Sequence, residues 1–330
     1  MIVNQGEAKK LKILIIRFSS MGDIVLTSPV VRCLKEQMNV EIHYLTKRTY
    51  LSFIKYNPHI AKMWVYHNNE KELKTDLKAQ NFDFIIDLHK SIRSTLWSLS
   101  IGGKRLTYDK STLKKLLYIK LGIKGVEKKH VVERYMEAIE PLGVRYDHKG
   151  LDFFFEPKME SDITLPQHFI AAAIGGTHFT KRFPASKWKE VINLTKEPFV
   201  LIGGKQDVEM AKEIESDHPG RIINLCGRTS IQQSAMIIKK AYAVISNDTG
   251  MMHIAAALNK NIVSIWGGTI PEFGFWPLYP EGIDHDTTIE VNGLDCRPCS
   301  KFGRSTCPKK HFKCMLEIES EQIVKSINTK

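Results

Sequence analysis

The chain has 330 residues, of which 43% are hydrophobic and 25% are charged, and 48 Lys and Arg against 36 Asp and Glu give a formal net charge of +12. This composition excludes global disorder, and the length suits about two domains. The surplus of positive charge favours a polyanionic partner, which is a nucleic acid, an anionic membrane surface or a phosphorylated ligand.

The first apolar stretch, residues 11–16, contains Lys12 and predicts a β-strand rather than a secretion signal. No apolar run reaches the roughly 18 residues that a membrane span requires. Six cysteines are too few for a disulfide scaffold, and we expect them to be thiols in a reducing compartment. The sequence therefore predicts a cytoplasmic protein, either free or peripheral on the cytoplasmic face of the inner membrane.

Short apolar runs alternate with amphipathic helical patterns along the whole chain. The predicted strands are 12–17, 41–46 and 82–88 in the first half and 169–174, 199–202, 243–246 and 262–266 in the second half. The predicted helices lie near 29–37, 70–81, 185–196, 206–216, 230–241 and 250–258. Apolar strands separated by helices indicate buried parallel sheets, and two such sets predict two doubly wound, Rossmann-like α/β domains.

A polar segment bracketed by prolines, residues 156–166, separates the two sets of strands. It predicts a first domain over 1–160 and a second over 161–330. The last helical pattern, 319–327, follows an irregular segment that contains four cysteines. The sequence leaves open whether this helix packs on the second domain or returns to the first.

The loop after the first predicted strand is a candidate site, because ligands of parallel α/β sheets bind beyond the carboxyl ends of the strands. It contains SSMGD at 19–23, whose small residues allow a ligand to approach the backbone. The GxGxxG fingerprint is missing, which argues against an NAD-dependent oxidoreductase. Asp23 stands where a helix begins, so it is either an N-cap or a carboxylate that takes a proton from a hydroxyl.

Four loops of the second half, the last of which is the small-residue loop WGGT at 266–269, have a composition that suits a nucleotide diphosphate. Residues 175–184 are rich in glycine and then basic, and Lys181 or Arg182 either neutralises a diphosphate or belongs to a solvated turn. Residues 203–207 (GGKQD) end in Asp207, which is either a helix cap or a ligand of ribose hydroxyls.

The third loop, NDTGMMH at 247–253, opens a predicted helix. Asp248, Thr249 and Gly250 fall in its first turn, where free N–H groups favour a phosphate. A carboxylate there repels phosphate, so we expect Asp248 to cap the turn or to bind a neutral sugar hydroxyl. His253 lies one turn later and is either a packed helix residue or part of this site.

These segments resemble the lipopolysaccharide heptosyltransferases, glycosyltransferase family 9, which use ADP-heptose as donor. The matching segments are KILIIRFSSMGDIVLTSP (12–29), TKRFPASKW (180–188), LIGGKQD (201–207), NLCGRTS (224–230), SNDTGMMHIAAAL (246–258) and VSIWGGTIPEFGFW (263–276). The resemblance implies a GT-B fold, in which two Rossmann-like domains face each other across a cleft. It also implies transfer with inversion at the anomeric carbon and without a metal or other cofactor.

By motif, the resemblance assigns Asp23 as the general base and Lys181 as the lysine that binds the donor phosphate. The donor-binding positions that it implies are Thr177, Asp207, Asp248, Thr249, Gly250 and His253. At the position of Asp207 the family often has Glu. We expect the first domain to bind the acceptor, with Ser20 and Arg93 as candidate contacts.

The function predicted from these features is transfer of a heptose from ADP-heptose to a hydroxyl of a lipopolysaccharide-core acceptor. The alternatives are a glycosyltransferase with another nucleotide-activated sugar and a non-catalytic module that binds a nucleotide sugar. Nucleic acid is not an expected partner, because the chain has neither a helix-turn-helix signature nor an RNA-binding aromatic motif. The sequence leaves the donor base and the exact sugar open.

Two further segments have two interpretations each. Cys296, Cys299, Cys307 and Cys314 either hold a structural Zn²⁺ or are packing or redox-sensitive thiols, since their spacing is not that of a zinc ribbon. Residues 110–129, assigned to the first domain, contain seven lysines and a stripe of four leucines. This segment is either a solvated basic helix or a contact for a membrane surface or a lipid phosphate.

Overall fold

The computed structural model describes residues 9–67, 70–121, 127–159 and 163–328. The chain divides into two compact units. Unit 1 comprises Met1–Lys110 and Val132–His148, and unit 2 comprises Ser111–Val131 and Lys149–Lys330. Each unit contains one parallel β-sheet with helices between its strands.

Unit 1 has a five-stranded sheet in the order β3-β2-β1-β4-β5. Its strands are β1 (Leu11–Ile16), β2 (Val40–Lys47), β3 (Lys62–Tyr66), β4 (Phe84–Asp87) and β5 (Lys104–Thr107). Its helices are α1 (Met21–Val25), α2 (Ser28–Gln37), α3 (Glu70–Lys78), α4 (Ile92–Ile101) and α6 (Val131–Glu137). Residues 13–16 of the central strand β1 are fully buried, which explains the uninterrupted apolar run of that strand.

Unit 2 has a six-stranded sheet in the order β11-β10-β9-β6-β7-β8. Its strands are β6 (Ile170–Ala173), β7 (Phe199–Ile202), β8 (Ile222–Asn224), β9 (Ala243–Asn247), β10 (Asn261–Trp266) and β11 (Asp286–Glu290). Its helices are α5 (Thr112–Leu121), α7 (Ala185–Leu194), α8 (Val208–Ser216), α9 (Ile231–Lys240), α10 (Gly250–Ala257), α11 (Lys313–Leu316) and α12 (Ser320–Asn328). None of the described helices combines the length and apolarity that crossing a membrane needs.

The division of the chain differs from the predicted boundary at residue 160 in two ways. The first unit ends at His148, and residues 149–159 pack with unit 2, where Lys149 pairs with Pro280 and the Glu156 N–H donates to Gln232. In addition, the lysine-rich segment 111–131, which was expected in the first domain, belongs to unit 2. It is attached there by backbone bonding, since the Val131 N–H donates to the Gly274 carbonyl at 2.9 Å.

The C-terminal helix α12 packs on unit 2. It lies against α7, β10 and β11, and Ile323 and Ile327 are buried in the same hydrophobic cluster as Trp188 and Ile192. The Ser320 hydroxyl donates to the Glu190 carboxylate at 2.8 Å. The apolar side of this helix is therefore buried in the core of unit 2.

Replacing Ile323 by Ala should lower the free energy of unfolding by about 2–5 kcal/mol, because Ile323 is fully buried and the cavity cannot close completely. Chemical denaturation monitored by circular dichroism measures the change. Glu321→Ala, an exposed position on the same helix, is the control and should change stability by less than about 0.5 kcal/mol. Equal stability of the two variants would contradict the packing of α12 described above.

Candidate functional site

Each sheet reverses its strand order at one place, and the candidate residues lie at these two places. In unit 1 the reversal falls between β1 and β4, and in unit 2 between β6 and β9. A crevice opens beyond the carboxyl ends of the strands at such a point, because the connecting loops lead away in opposite directions. The loop 17–23 follows β1, and the loops 174–182 and 248–250 follow β6 and β9.

Asp23 lies in the first turn of α1 and is held on both oxygens. Its Oδ2 accepts hydrogen bonds from the Ser20 hydroxyl at 2.7 Å and from the Ser20 N–H at 3.1 Å. Its Oδ1 lies 2.7 Å from the guanidinium of Arg17. Ser20 is the N-cap of α1 and Asp23 is the third residue of the helix, so the prediction that Asp23 is itself the N-cap is wrong. The Asp23 carboxylate accepts from the N-cap residue instead, and its side chain remains 20% exposed. A ligand can still reach the carboxylate.

Arg17 is a functional candidate that the sequence motifs did not indicate. It directly follows β1 and is almost fully buried. Besides Asp23, its guanidinium donates to the Leu88 and Ser19 carbonyls and to the Tyr135 hydroxyl. Bonds to three fixed partners leave the guanidinium with one orientation, and that orientation places Asp23. The signal in the sequence was a charged residue at the end of an otherwise apolar strand.

The electrostatics of this loop keep Asp23 ionised. Burial by itself raises the pKa of Asp23, but the charge of Arg17 and the hydrogen bonds from Ser20 outweigh burial and lower the pKa below its ordinary value. The carboxylate is therefore unprotonated throughout the neutral range. It is ready to accept a proton, although its low pKa makes it a weak base.

His89, in the loop after β4, is a second residue that the sequence did not single out. Its ring stacks edge-on against Phe18, with centroids 5.2 Å apart. Burial, followed by the charges of Arg17 and Lys110, lowers the pKa of His89 to about 4, so the imidazole is neutral at pH 7. Its Nδ1 is buried without a hydrogen-bond partner among the described residues.

The two predicted acceptor contacts of unit 1 are both exposed but differ in their surroundings. Ser20 belongs to the Asp23 loop itself. Arg93 lies in the first turn of α4, and its guanidinium lies 5.9 Å from the ring centroid of Tyr66, which in turn contacts Phe18. Arg93 is thus connected to the loop through two aromatic rings rather than by direct contact with Asp23.

In unit 2, Lys181 and Asp248 form an ion pair between the two loops of the strand reversal. The Lys181 ammonium lies 2.6 Å from Asp248 Oδ2, and the same oxygen accepts a hydrogen bond from the Thr269 hydroxyl at 2.7 Å. The Lys181 side chain is 17% exposed. The sequence predicted Asp248 as a cap or a sugar ligand, and in the structure its carboxylate pairs with Lys181.

Helix α10 begins at the predicted residue, but Asp248 and Thr249 lie outside its first turn. Gly250 is its first residue and Thr249 is the N-cap, so Asp248 precedes the helix instead of capping it. The Thr249 side chain makes no capping hydrogen bond, which leaves the first N–H groups of the helix without a side-chain acceptor from that residue. His253 is buried one turn further on, and Thr177, after β6, is exposed.

Asp207 has a structural role in this arrangement. It is fully buried, its Oδ2 accepts from the Gly204 N–H at 2.8 Å, and its Oδ1 lies 3.6 Å from Arg182. A Cβ atom on Gly175 would lie 2.6 Å from Asp207 Oδ2, so only glycine leaves enough space for the carboxylate. Burial raises the pKa of Asp207 against the opposing effects of Gly204 and Arg182.

The cysteine-containing segment supports the loop that carries Lys181. The Thr180 N–H donates to the Arg304 carbonyl at 3.1 Å, and the Gly268 N–H donates to the Thr180 carbonyl at 2.9 Å. A Cβ on Gly268 would lie 2.9 Å from both Thr180 and Cys299 Sγ, so this glycine permits the close approach. The small residues after β10 therefore serve packing.

The four C-terminal cysteines are free thiols. Cys314 belongs to the hydrophobic core of unit 2, and burial raises the pKa of its thiol to about 12. Cys296 Sγ lies 3.7 Å from His311 Nε2. Within the described ranges, no group of three or more His, Cys, Asp or Glu residues is arranged to hold a metal ion.

A family model described as glycosyltransferase family 9 (heptosyltransferase) matches residues 71–310. The chain belongs to this family. It is 26% identical over 319 residues to lipooligosaccharide heptosyltransferase 2 of Campylobacter jejuni subsp. jejuni, and the match covers 92% of this chain and 93% of the relative.

Solved structures share the fold of this family 9 protein. A family 9 glycosyltransferase from Veillonella parvula has a TM-score of 0.75 at 20% identity, covering 99% of this chain and 98% of that one. The E. coli heptosyltransferase WaaC with ADP has a TM-score of 0.72 at 19% identity, covering 97% and 99%. The same enzyme was also solved with ADP-2-deoxy-2-fluoro heptose, with a TM-score of 0.69 at 18% identity and the same coverage. The predicted family and the α/β fold of GT-B type are confirmed.

Replacing Arg17 by Gln should shift the acid limb of the pH profile of kcat/KM to higher pH by about one unit or more. Without the guanidinium, the effect of burial on Asp23 is less opposed, so the pKa of the carboxylate rises and Asp23 is protonated at a higher pH. Steady-state rates across the acidic range measure the shift. Arg145→Gln, an exposed arginine of unit 1, should leave the profile unchanged. An unchanged acid limb in a folded Arg17→Gln variant would contradict the role of this ion pair.

Proposed function

We propose that this family 9 glycosyltransferase moves a heptose from ADP-heptose to a hydroxyl of a lipopolysaccharide-core acceptor, with inversion and without a metal. The observation that carries the proposal is the partly exposed carboxylate of Asp23, held ionised by Arg17 and Ser20 at the strand reversal of unit 1. The names of the relative from C. jejuni and of WaaC, and the ADP in the WaaC structure, support the choice of donor and acceptor.

On this proposal, unit 1 binds the acceptor and Asp23 is the general base. The acceptor oxygen forms a bond to the anomeric carbon on the face opposite the diphosphate, the bond from that carbon to the diphosphate oxygen breaks, and the hydroxyl proton passes to Asp23. Because the pKa of Asp23 is low, the proton transfers while the new bond forms rather than beforehand. Ser20, whose hydroxyl donates to Asp23, also contacts the acceptor. Arg93 binds a phosphate of the acceptor, and the neutral imidazole of His89 orients the acceptor.

Unit 2 binds the donor, and Lys181 neutralises the charge that builds up on the departing diphosphate. Asp248 holds the ammonium in place before the donor arrives, and the first N–H groups of α10, after Thr249 and Gly250, add partial positive charge. These groups supply at the diphosphate the positive charge that a divalent cation supplies in other transferases. Thr177 and His253 complete the donor site.

The role of Asp207 in this proposal is changed by its burial. The carboxylate positions Arg182 and the 203–207 loop, and direct contact with the ribose would require it to leave Gly204. The exposed residues of the same loop, Lys205 and Gln206, are better placed to meet the nucleoside. The free thiols fit a reducing, cytoplasmic compartment, and a membrane-anchored acceptor calls for peripheral contact with the inner membrane.

Replacing Lys181 by Ala should weaken ADP binding by about tenfold or more, because a charge-assisted contact to the diphosphate is lost and Asp248 is left unpaired beside it. Isothermal titration calorimetry with ADP, UDP and GDP measures the loss of affinity and also shows which nucleobase the protein prefers. Lys212→Ala, which removes an exposed ion pair with Glu209, is the control and should bind ADP as the wild type does. Preference for UDP would contradict the proposed donor.

Replacing Asp23 by Asn should reduce transfer by about 10³-fold while ADP affinity stays unchanged, since the amide keeps the shape of the carboxylate but cannot accept the proton. The measurement is transfer from ADP-heptose to a heptose-deficient lipopolysaccharide core, followed by mass spectrometry. Asp76→Asn, on the exposed surface of α3, is the matched control. Full activity of Asp23→Asn would contradict the assignment of the base.

A further inference from the structure

Helix α5 buries a lysine and exposes its leucines. Lys115 is only 2% exposed, whereas Leu113 is 68%, Leu116 44%, Leu117 36% and Leu121 66% exposed. A surface helix of a globular protein normally has the opposite arrangement, with its apolar stripe against the core. The four leucines stand at positions i, i+3, i+4 and i+8, so they lie on one side of the helix, which Lys120 at i+7 shares. We call it the leucine face.

The orientation of α5 is determined by its buried side. The Lys115 ammonium donates to the Phe273 carbonyl at 2.5 Å and lies 5.5 Å and 5.3 Å from the ring centroids of Phe273 and Phe275. Tyr118, on the same side, packs edge-on against Phe273. Turning the leucines inward would expel a buried, hydrogen-bonded ammonium from these partners, so the leucine face stays outward.

Positive charge surrounds the leucine face. Lys114 and Lys120 are exposed on the same ten-residue helix. Lys114 has an acidic neighbour, Glu127, at 3.5 Å, but both side chains are more than half exposed and such a pair is weak in water. The helix itself contains no acidic residue. An exposed cluster of four leucines among lysines has the composition of an interfacial helix.

We propose that the leucine face of α5 docks on an anionic phospholipid bilayer, with the helix lying in the plane of the interface. The leucines enter the boundary between headgroups and acyl chains, and Lys114 and Lys120 meet the lipid phosphates. A second copy of this chain is a poorer occupant, because two such basic faces would repel each other and the whole chain carries +12. The docking uses neither Asp23 nor Lys181 and is independent of the reaction proposed above.

The test is flotation of the full chain with vesicles of phosphatidylglycerol or of phosphatidylcholine, without donor or acceptor. The wild type should bind phosphatidylglycerol vesicles and bind phosphatidylcholine vesicles much more weakly. Leu113→Gln combined with Leu117→Gln should lower the partition coefficient by about tenfold or more. Lys114→Gln combined with Lys120→Gln should lower it by about fivefold per lysine at low salt.

The matched control is Leu194→Gln combined with Leu316→Gln, two leucines of unit 2 that are 47% and 46% exposed on α7 and α11. It should bind vesicles as the wild type does. All variants should keep the wild-type unfolding temperature and ADP affinity, so a loss of vesicle binding is separated from a loss of folding or of donor binding.

Three results would overturn the proposal. The first is that the wild type fails to bind phosphatidylglycerol vesicles, and the second is that the α5 leucine variant binds them as tightly as the control. The third comes from sedimentation velocity. A dimer that dissociates in the α5 leucine variant while vesicle binding is unchanged would assign the leucine face to a second copy of the chain.

Discussion

The reversal of strand order in each parallel sheet determines where this protein can do chemistry. The two reversals, between β1 and β4 and between β6 and β9, leave the carboxyl ends of the strands uncovered by their own connecting loops. The strands beside them are buried and mostly apolar, and the polar residues of β4 and β9, such as Asp87 and Asn247, stand at the carboxyl ends next to the loops. The glycines and short polar residues of these loops are a consequence of that constraint.

At both strand reversals a carboxylate pairs with a cation. The group proposed to act on a substrate is the carboxylate in unit 1 and the cation in unit 2. In unit 1 the cation, Arg17, is almost fully buried and the carboxylate of Asp23 is accessible. In unit 2 the carboxylate of Asp248 also holds Thr269, and the proposed working group is the Lys181 ammonium. In each pair the residue with further bonds, Arg17 or Asp248, holds the proposed working residue in one orientation before any substrate binds. Group transfer depends on this kind of electrostatic preorganisation.

The ion pair with Arg17 makes the Asp23 carboxylate a weaker base. Lowering the pKa of a general base keeps it ionised but reduces its driving force for taking a proton. For the proposed displacement at an anomeric carbon this cost is small, because the acceptor hydroxyl becomes strongly acidic only as its oxygen bonds to carbon. A weak base in a fixed position then suffices, and orientation matters more than basicity.

The central strands were predictable because burial on both faces leaves only apolar residues, as in β1 and β7. The sequence missed β3, β5, β8 and β11 because they lie at or near the sheet edges, where short, polar strands such as Lys104–Thr107 are tolerated. The motif residues of the site were also predictable as types, since Asp23 and Lys181 occupy the expected loops. Their partners were not, because pairs such as Arg17 with Tyr135 join residues far apart in the chain.

The segment 111–131 shows most clearly what periodicity leaves undetermined. Its leucine stripe and its lysines are visible in the sequence, and the usual rule would place the leucines against the protein and every lysine in water. The buried position of Lys115 reverses this, because the Phe273 carbonyl accepts its ammonium and two aromatic rings lie beside it, so the opposite side of α5 faces outward. Part of the net charge of +12 can therefore be assigned to a place in the structure. This part flanks an apolar face on unit 2, where an anionic lipid surface satisfies both the charge and the leucines.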